Sequence, residues 1–191
     1  NGTPDITKRV IIDGDYTAAA NFNACSLVIR PGRTLTVQSG VTVTVENDGN
    51  LIQRNDTSVN VGNIKVKRNA NLKRLDYNYW GSSVAGQNLK AFSPGTLSTR
   101  FYTYNEADDF FYVISPTSNN FIPGKGYAIR APNDYTITNA VFNGEFFGVP
   151  NNGVITVNVT KLANGYNLVS NPYASNINFA NFYAANSSII N

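Results

Sequence analysis

Leucine and valine recur every eight residues near the start of the chain, at Leu27, Leu35, Val43 and Leu51. Around them threonine and valine alternate, which is the period-two pattern of half-buried β-strands. Pro-Gly, Ser-Gly and Asp-Gly pairs, which are strong turn signals, separate the short apolar runs. This pattern restricts the region to short strands joined by tight turns. We predict strands at residues 26–30, 34–38, 41–45, 50–53 and 63–67.

Two strand arrangements fit residues 1–70, which we predict to be a repetitive Thr/Val-rich β region. Strands at a constant spacing can stack in parallel as the rungs of a β-helix, or solenoid. The Ser-Gly and Asp-Gly pairs also permit hairpins, and hence an antiparallel meander. The flat, repetitive Thr-Val pattern favours the solenoid, but the turn chemistry leaves both arrangements open.

Residues 71–191 are instead rich in tyrosine and phenylalanine. Their apolar runs, separated by turn signals, predict an antiparallel β-sandwich, so the whole chain is expected to be all-β. The spacing of Phe179, Phe182 and Tyr183 predicts one short helix. Because the chain stops soon afterwards, we expect a sandwich that is incomplete at its C-terminus. The predicted strands are 75–80, 99–105, 110–115, 125–131, 135–143, 154–160 and 165–170.

Tyrosines on two of these strands form a candidate ligand-binding site. Strand alternation puts Tyr77 and Tyr79 on one face and Trp80 on the other, and we interpret Trp80 as a core residue. Tyr102 and Tyr104 share a face of a second strand. If the two tyrosine pairs are exposed, they provide flat aromatic platforms for sugar rings.

The composition argues against catalysis. The chain has no histidine, which removes His-based triads, His metal sites and the commonest general base. Its single cysteine, Cys25, permits no intramolecular disulfide, and we expect it to be a small buried residue. We predict no catalytic residue, no metal site and no cofactor. Calcium is the one ion that the acids of 13–15 and 106–109 would suit, although neither segment matches a calcium-binding loop.

Location and partners follow from what the chain lacks. It contains no methionine even at residue 1, so we expect a processed or partial exported protein, extracellular or on a bacterial cell surface. No apolar run approaches the about 18 residues of a membrane span, so we predict no membrane insertion. The net charge is +3, and a basic cluster, Lys65, Lys67, Arg68, Lys73 and Arg74, accompanies no nucleic-acid-binding motif. We interpret that cluster as a solvated strand edge and predict no nucleic-acid partner.

Six segments of the chain carry a resemblance to a known family. They are GNLIQ (49–53), VKR (66–68), LDYNYWGSSV (75–84), FIPGKGYAIRAP (121–132), FNGEFFGVPNNG (142–153) and GYNLVSNPY (165–173). Together they resemble a region of adhesin-like surface and secreted proteins of Bacteroidota that the type IX secretion system exports. The resemblance implies an extracellular region that precedes a C-terminal sorting domain and has no assigned reaction. Ser83 departs from the pattern, because these relatives commonly have proline there.

Together these features predict a non-catalytic structural or adhesive module of a bacterial surface protein. It would associate with itself or with a neighbouring surface protein through an open sheet edge. The alternative is a carbohydrate-binding module of a secreted polysaccharide-degrading enzyme, which would bind glycan through the tyrosines.

Overall fold

The computed structural model describes residues 4–54, 57 and 59–190, and its first part consists of short strands. Strands β1, β3, β5 and β6 lie side by side in parallel, while β2 and β4 form a second parallel pair. The chain alternates between these two sheets and advances one strand at each pass. The strands are β1 (Arg9–Ile12), β2 (Tyr16–Ala18), β3 (Phe22–Ile29), β4 (Leu35–Val37), β5 (Val43–Gln53) and β6 (Ile64–Leu72).

This alternation decides between the two arrangements in favour of the solenoid. Val61 continues the second sheet by a parallel bridge to Thr36, so a third coil follows the same path. The eight-residue repeat lies inside the coils. Leu27 and Leu51 face each other on β3 and β5, and Leu35 belongs to the opposite sheet. All four residues of the repeat are at most 2% exposed, which confirms them as core.

Strand β5 corrects two predictions. We expected a turn at Asp48-Gly49 between two strands, but one strand runs from Val43 to Gln53. The residues between Val45 and Asn50 form a bulge opposite Cys25, with Asp48 at a φ of 62°. A Cβ on Gly49 would lie 2.2 Å from the Cys25 carbonyl oxygen, so only glycine fits there. Alternation along β3, with Phe22 and Ala24 buried, puts Cys25 on the outer face, and its predicted burial is wrong, because the residue is exposed.

In its second part, the described chain adds five strands, two short α-helices and one 3₁₀ turn at Ser98–Arg100. Four of the strands form an antiparallel sheet with the order β7-β10-β8-β9. The fifth, β11, belongs to the first sheet, where it lies beside β6. The elements are β7 (Tyr77–Trp80), α1 (Leu89–Phe92), β8 (Phe101–Asn105), β9 (Phe110–Val113), β10 (Tyr127–Arg130), β11 (Ala140–Gly148) and α2 (Phe179–Asn186). No helix in the described ranges is long and apolar enough to cross a membrane.

Strand β11 closes the solenoid. It pairs antiparallel with β6 over nine residues, from Ala140 opposite Leu72 to Gly148 opposite Ile64. Strand β6 itself crosses residue 70, where we placed the boundary between two regions. The second region therefore contributes a strand to the sheet of the first, while the assignment of 1–70 and 71–191 as domains stays a prediction.

Aromatic rings join the two large sheets face to face. The ring of Trp80 on β7 lies 5.5 Å from that of Phe142 and 6.4 Å from that of Phe146, both on β11. Phe92 of helix α1 stacks on Phe146 with 4.5 Å between centroids. Trp80 is 8% exposed, which confirms its predicted core position. The buried apolar residues of both regions form one continuous core.

Three strand predictions in the second region need correction. The strand predicted at 135–143 instead begins at Ala140 and ends at Gly148. Residues 154–160 and 165–170 are not regular strands, apart from one bridge between Lys125 and Val169. The Asn167 side chain bonds both the amide and the carbonyl of Thr160, at 3.1 and 2.8 Å, and so replaces a ladder there. The predicted helix is confirmed as α2.

Phe146→Ala should lower the free energy of unfolding by about 3–5 kcal/mol, because it removes a ring at the centre of the joint between the sheets. Phe146 is 1% exposed and contacts the rings of Trp80, Phe92 and Phe121. The matched control is Phe147→Ala, one residue along β11, where the ring is 48% exposed. Urea denaturation of both variants checks this, and equal losses would contradict the inward alternation of β11.

Candidate functional site

The outer face of the four-stranded sheet carries the tyrosines that the sequence singles out. Strands β7 and β8 are not neighbours, because β10 lies between them. Tyr79 and Tyr102 both pair with Ala128 of β10, one from each side, and Tyr77 pairs with Arg130. Ala128 is small, so the tyrosines on both sides can approach each other above the central strand.

The rings meet across that central strand. Tyr77 and Tyr102 are 5.7 Å apart between ring centroids in an edge-to-face arrangement. Tyr79 stacks on Phe111 of β9 at 6.2 Å, with 8° between ring planes, and Tyr104 lies 5.0 Å from Phe111. The four predicted residues and Phe111 therefore form one surface, which we call the aromatic face. Tyr77 and Tyr79 are 45% and 61% exposed, and the other three are half-buried.

Phe111 is the member that the sequence analysis missed. Residues 110–112 are all aromatic, and alternation separates Phe111 from Phe110 and Tyr112. Only the register of the β8–β9 hairpin, in which Phe111 pairs with Tyr104, puts Phe111 on the tyrosine side. That register was not fixed by any turn motif in the 105–109 segment.

Two arginines lie at one end of the aromatic face. Arg130 is only 8% exposed and donates to the side-chain oxygen of Asn133 at 3.0 Å. Arg100 donates to the Tyr102 hydroxyl at 3.2 Å, and this hydrogen bond lowers the pKa of Tyr102. The Nε atoms of both arginines are buried without a hydrogen-bond partner. Neither guanidinium forms an ion pair with a carboxylate of residues 4–54, 57 or 59–190.

An acidic turn fixes the other end of the aromatic face. The Tyr104 hydroxyl donates to Asp109, which raises the pKa of Tyr104 to about 12. Asp109 also accepts from the Asn164 side chain at 2.6 Å, which ties in the loop of residues 160–165. These contacts hold the Tyr104 ring in one orientation.

Glu106 in the same turn anchors that loop. Its carboxylate accepts hydrogen bonds from the amides of Leu162, Ala163 and Gly165 at 2.8 to 2.9 Å, and from the Thr160 hydroxyl at 2.8 Å. The backbone hydrogen bonds, led by that of Leu162, lower the pKa of Glu106 to about 2. Glu106 is thus a structural anion that organises the loop beside the aromatic face.

A cavity of about 360 Å³ lies next to the aromatic face, between Tyr79, Trp80 and Arg68. The Arg68 guanidinium donates to the carbonyls of Lys67 at 2.7 Å and Gly49 at 3.0 Å, and burial lowers the pKa of Arg68. Its donors thus hold β5 and β6 together. The cavity therefore has fewer free hydrogen-bond donors than the end of the aromatic face where Arg100 and Arg130 lie.

The basic cluster of β6 is paired with acids on the sheet surface. Lys65 forms an ion pair with Glu145 at 2.8 Å, and Lys67 forms one with Glu46 at 2.9 Å. Such exposed pairs contribute little to stability, but they leave these lysines less available to an anionic ligand. The interpretation of the cluster as a strand edge is wrong for Lys65, Lys67 and Arg68, because β6 pairs with β5 on one side and with β11 on the other.

The acids considered for calcium already have protein partners. Asp13 pairs with Arg30 at 3.1 Å, and Asp15 accepts from the Thr34 amide at 3.0 Å. Glu106 and Asp109 are occupied as described above. Across the described part of the chain, no group of three or more His, Cys, Asp or Glu residues could hold a metal ion. The expectation that the chain uses no cofactor stays a prediction.

The fold and the site define an all-β protein in which a short parallel solenoid supports an antiparallel sheet with an exposed aromatic face. The chain belongs to the family described as Domain of unknown function (DUF8693), which matches residues 3–191. Comparisons with curated proteins and with solved structures give no match to the chain.

Glu106→Gln should destabilise the protein in a pH-dependent way. The folded-state pKa of about 2 lies below the ordinary value of 4.5, so the carboxylate contributes stability above about pH 4.5. That contribution disappears as the pH falls towards 2. The difference in unfolding free energy between wild type and variant should therefore be largest near pH 7 and shrink towards pH 2.

Denaturation at several pH values measures this difference, and Glu145→Gln is the matched control, because its carboxylate forms only a surface ion pair with Lys65. A pH-independent loss in Glu106→Gln would show that the carboxylate is not held as an anion.

Proposed function

We propose that the chain is a non-catalytic, extracellular adhesive module of a bacterial surface protein and that it binds carbohydrate through the aromatic face. One observation carries the proposal: five aromatic side chains from three strands meet on one exposed sheet surface. A solvent-exposed aromatic surface of this kind is a common mark of an interaction site. Packing the apolar face of a sugar ring against such aromatic rings removes both surfaces from water, which lowers the free energy of the complex.

The geometry suits a flat, extended ligand. Tyr79 and Phe111 present nearly parallel rings, and Tyr77 and Tyr102 meet edge to face beside them. The hydrogen bond from Tyr104 to Asp109 fixes a further ring before any ligand arrives. Side chains that are already ordered lose little conformational entropy on binding, which favours affinity.

Two further parts of the proposal are supported by the sequence. The absence of histidine supports a non-catalytic role, because the commonest general base and nucleophile activator is missing. The resemblance to surface proteins of Bacteroidota supports an extracellular location and export by the type IX secretion system. A carbohydrate-binding module attached to a polysaccharide-degrading enzyme would use the same face, and the neighbouring domains would distinguish it from an adhesin.

Tyr79→Ala should weaken glycan binding by about tenfold, because the variant loses an exposed ring that stacks on Phe111. Screening on a glycan array followed by calorimetry on the best ligand measures the effect. Since Tyr79 is 61% exposed, the thermal midpoint should change little.

The matched control is Tyr16→Ala, which removes a tyrosine that is 44% exposed on the smaller sheet of the solenoid. The proposal would be contradicted if the wild-type protein binds no glycan. It would also be contradicted if the Tyr79→Ala variant binds glycan as tightly as wild type.

A second candidate function, self-association, is favoured by the free edge at β9. Within residues 4–54, 57 and 59–190, this strand pairs with β8 and with no second strand, and it carries three exposed apolar side chains, Phe110, Tyr112 and Val113. Ile114 donates to the Phe101 carbonyl of β8, so the alternate amide of Val113 points to the open edge. Unpaired edges with apolar side chains readily accept a further strand.

Val113→Pro should reduce any self-association, because proline removes the outward N–H and is tolerated on edge strands. Val113→Ala is the matched control, since it keeps the amide while shortening the side chain. Sedimentation velocity over a wide concentration range, together with negative-stain images, measures the oligomers. Wild type that stays monomeric at high concentration would exclude assembly through β9.

A further inference from the structure

The strongest unassigned feature is a pair of guanidinium groups at one end of the aromatic face. On β10, Arg130 lies directly opposite Tyr77 of β7. The register of β10 with β8, in which Ile129 pairs with Phe101, places Arg100 next to Arg130 on the other side. Arg130 on β10 and Arg100, the residue immediately before β8, therefore lie next to the Tyr77–Tyr102 ring pair.

This pair is electrostatically incomplete in the protein alone. Like charges side by side on a sheet repel, and a buried cation is costly unless an anion compensates it. Arg130 is more than nine-tenths buried, yet its guanidinium donates to the neutral Asn133 side chain and not to a carboxylate of the described residues. Arg100 likewise donates to a neutral group, the Tyr102 hydroxyl. Both buried Nε donors remain without an acceptor.

Asp76, which lies close to this end of the aromatic face in the sequence, forms no ion pair with either arginine. Asp76 adjoins Tyr77, but its carboxylate accepts from the Lys73 amide at 2.8 Å. The charged pairs of the described residues involve Lys8, Arg30, Lys65 and Lys67, and none involves Arg100 or Arg130. Among the described residues no carboxylate forms an ion pair with either arginine, so the two guanidinium groups are open to an anion from a ligand at the edge of the aromatic face.

We propose that the aromatic face recognises an acidic saccharide, with the sugar ring against the Tyr77–Tyr102 pair and its carboxylate at Arg100 and Arg130. This inference rests on the proposed carbohydrate-binding function and specifies its ligand class. Guanidinium groups present planar forks of N–H donors that match a carboxylate, and such charge-assisted hydrogen bonds are roughly twice as strong as neutral ones. A neutral sugar could accept hydrogen bonds from the same donors, but it would leave both positive charges uncompensated, so the face should favour the acid.

The test compares each acidic polysaccharide with its own neutral form. Polygalacturonate, alginate and hyaluronan serve as probes, each beside the fully methyl-esterified polymer, which keeps the sugar backbone and removes the charge. Wild type should bind at least one acid form about tenfold more tightly than its ester, as expected for one charge-assisted hydrogen bond to a carboxylate. The preference should weaken in high salt.

Arg100→Gln should lose most of this preference while it retains the binding to the esters. Arg9→Gln is the matched control, since it removes the same charge from the exposed edge strand β1 of the solenoid. Arg130→Lys keeps the charge in place but loses the fork, and it should lie between wild type and Arg100→Gln. Because Arg100 is half-buried at the sheet margin, its variant tests the idea even if Arg130→Lys folds poorly.

The outcomes separate the two proposals. Equal binding to the acids and their esters would overturn the acidic-saccharide inference and leave carbohydrate binding intact. Equal losses in Arg9→Gln and Arg100→Gln would also overturn it, because net charge rather than a site would then attract the polymer. No binding to any acid, ester or other glycan would overturn both.

Discussion

The nine-residue antiparallel ladder between β6 and β11 is the interaction on which the rest of the structure depends. A parallel solenoid ends in a strand whose outer edge has unpaired N–H and C=O groups, and an open edge of this kind invites aggregation. Strand β11 satisfies that edge along its full length. Gly144 permits the close approach, since a Cβ there would lie 2.5 Å from the Arg68 carbonyl oxygen.

The same strand also sets the position of the second sheet. Alternation along β11 sends Phe142 and Phe146 inward, where they meet Trp80 and Phe92. Once Trp80 is buried in this cluster, the period of two along β7 forces Tyr79 and Tyr77 outward. The exposed aromatic face is thus a consequence of the buried cluster around Trp80. Its rings project from strands that the packed core holds in place.

Whether the sequence could predict a feature depends on how far apart along the chain the interacting residues lie. The eight-residue repeat and the opposite orientations of Trp80 and Tyr79 depend on local alternation, and both are visible in the residues themselves. The β5 bulge depends on how Gly49 packs against Cys25, which is more than twenty residues earlier in the chain. The position of Phe111 depends on the register of the β8–β9 hairpin. The pairing of β11 with β6 and the proximity of Arg100 and Arg130 depend on register between strands that are distant in the sequence. No turn motif or periodicity encodes such register, so local patterns could not reveal it.

Strand β8 gives the aromatic face a direction. From Arg100 to Glu106 the chain passes through Tyr102 and Tyr104, and an extended strand of that length spans roughly 20 Å. The acids at the far end are already bound: Glu106 by backbone amides and Asp109 by Tyr104 and Asn164. The arginines at the near end have only neutral partners. Under the proposed function, a carboxylate of a ligand along this strand would therefore be favoured at the arginine end, where positive charge has only neutral partners, over the acidic end, where it would be repelled.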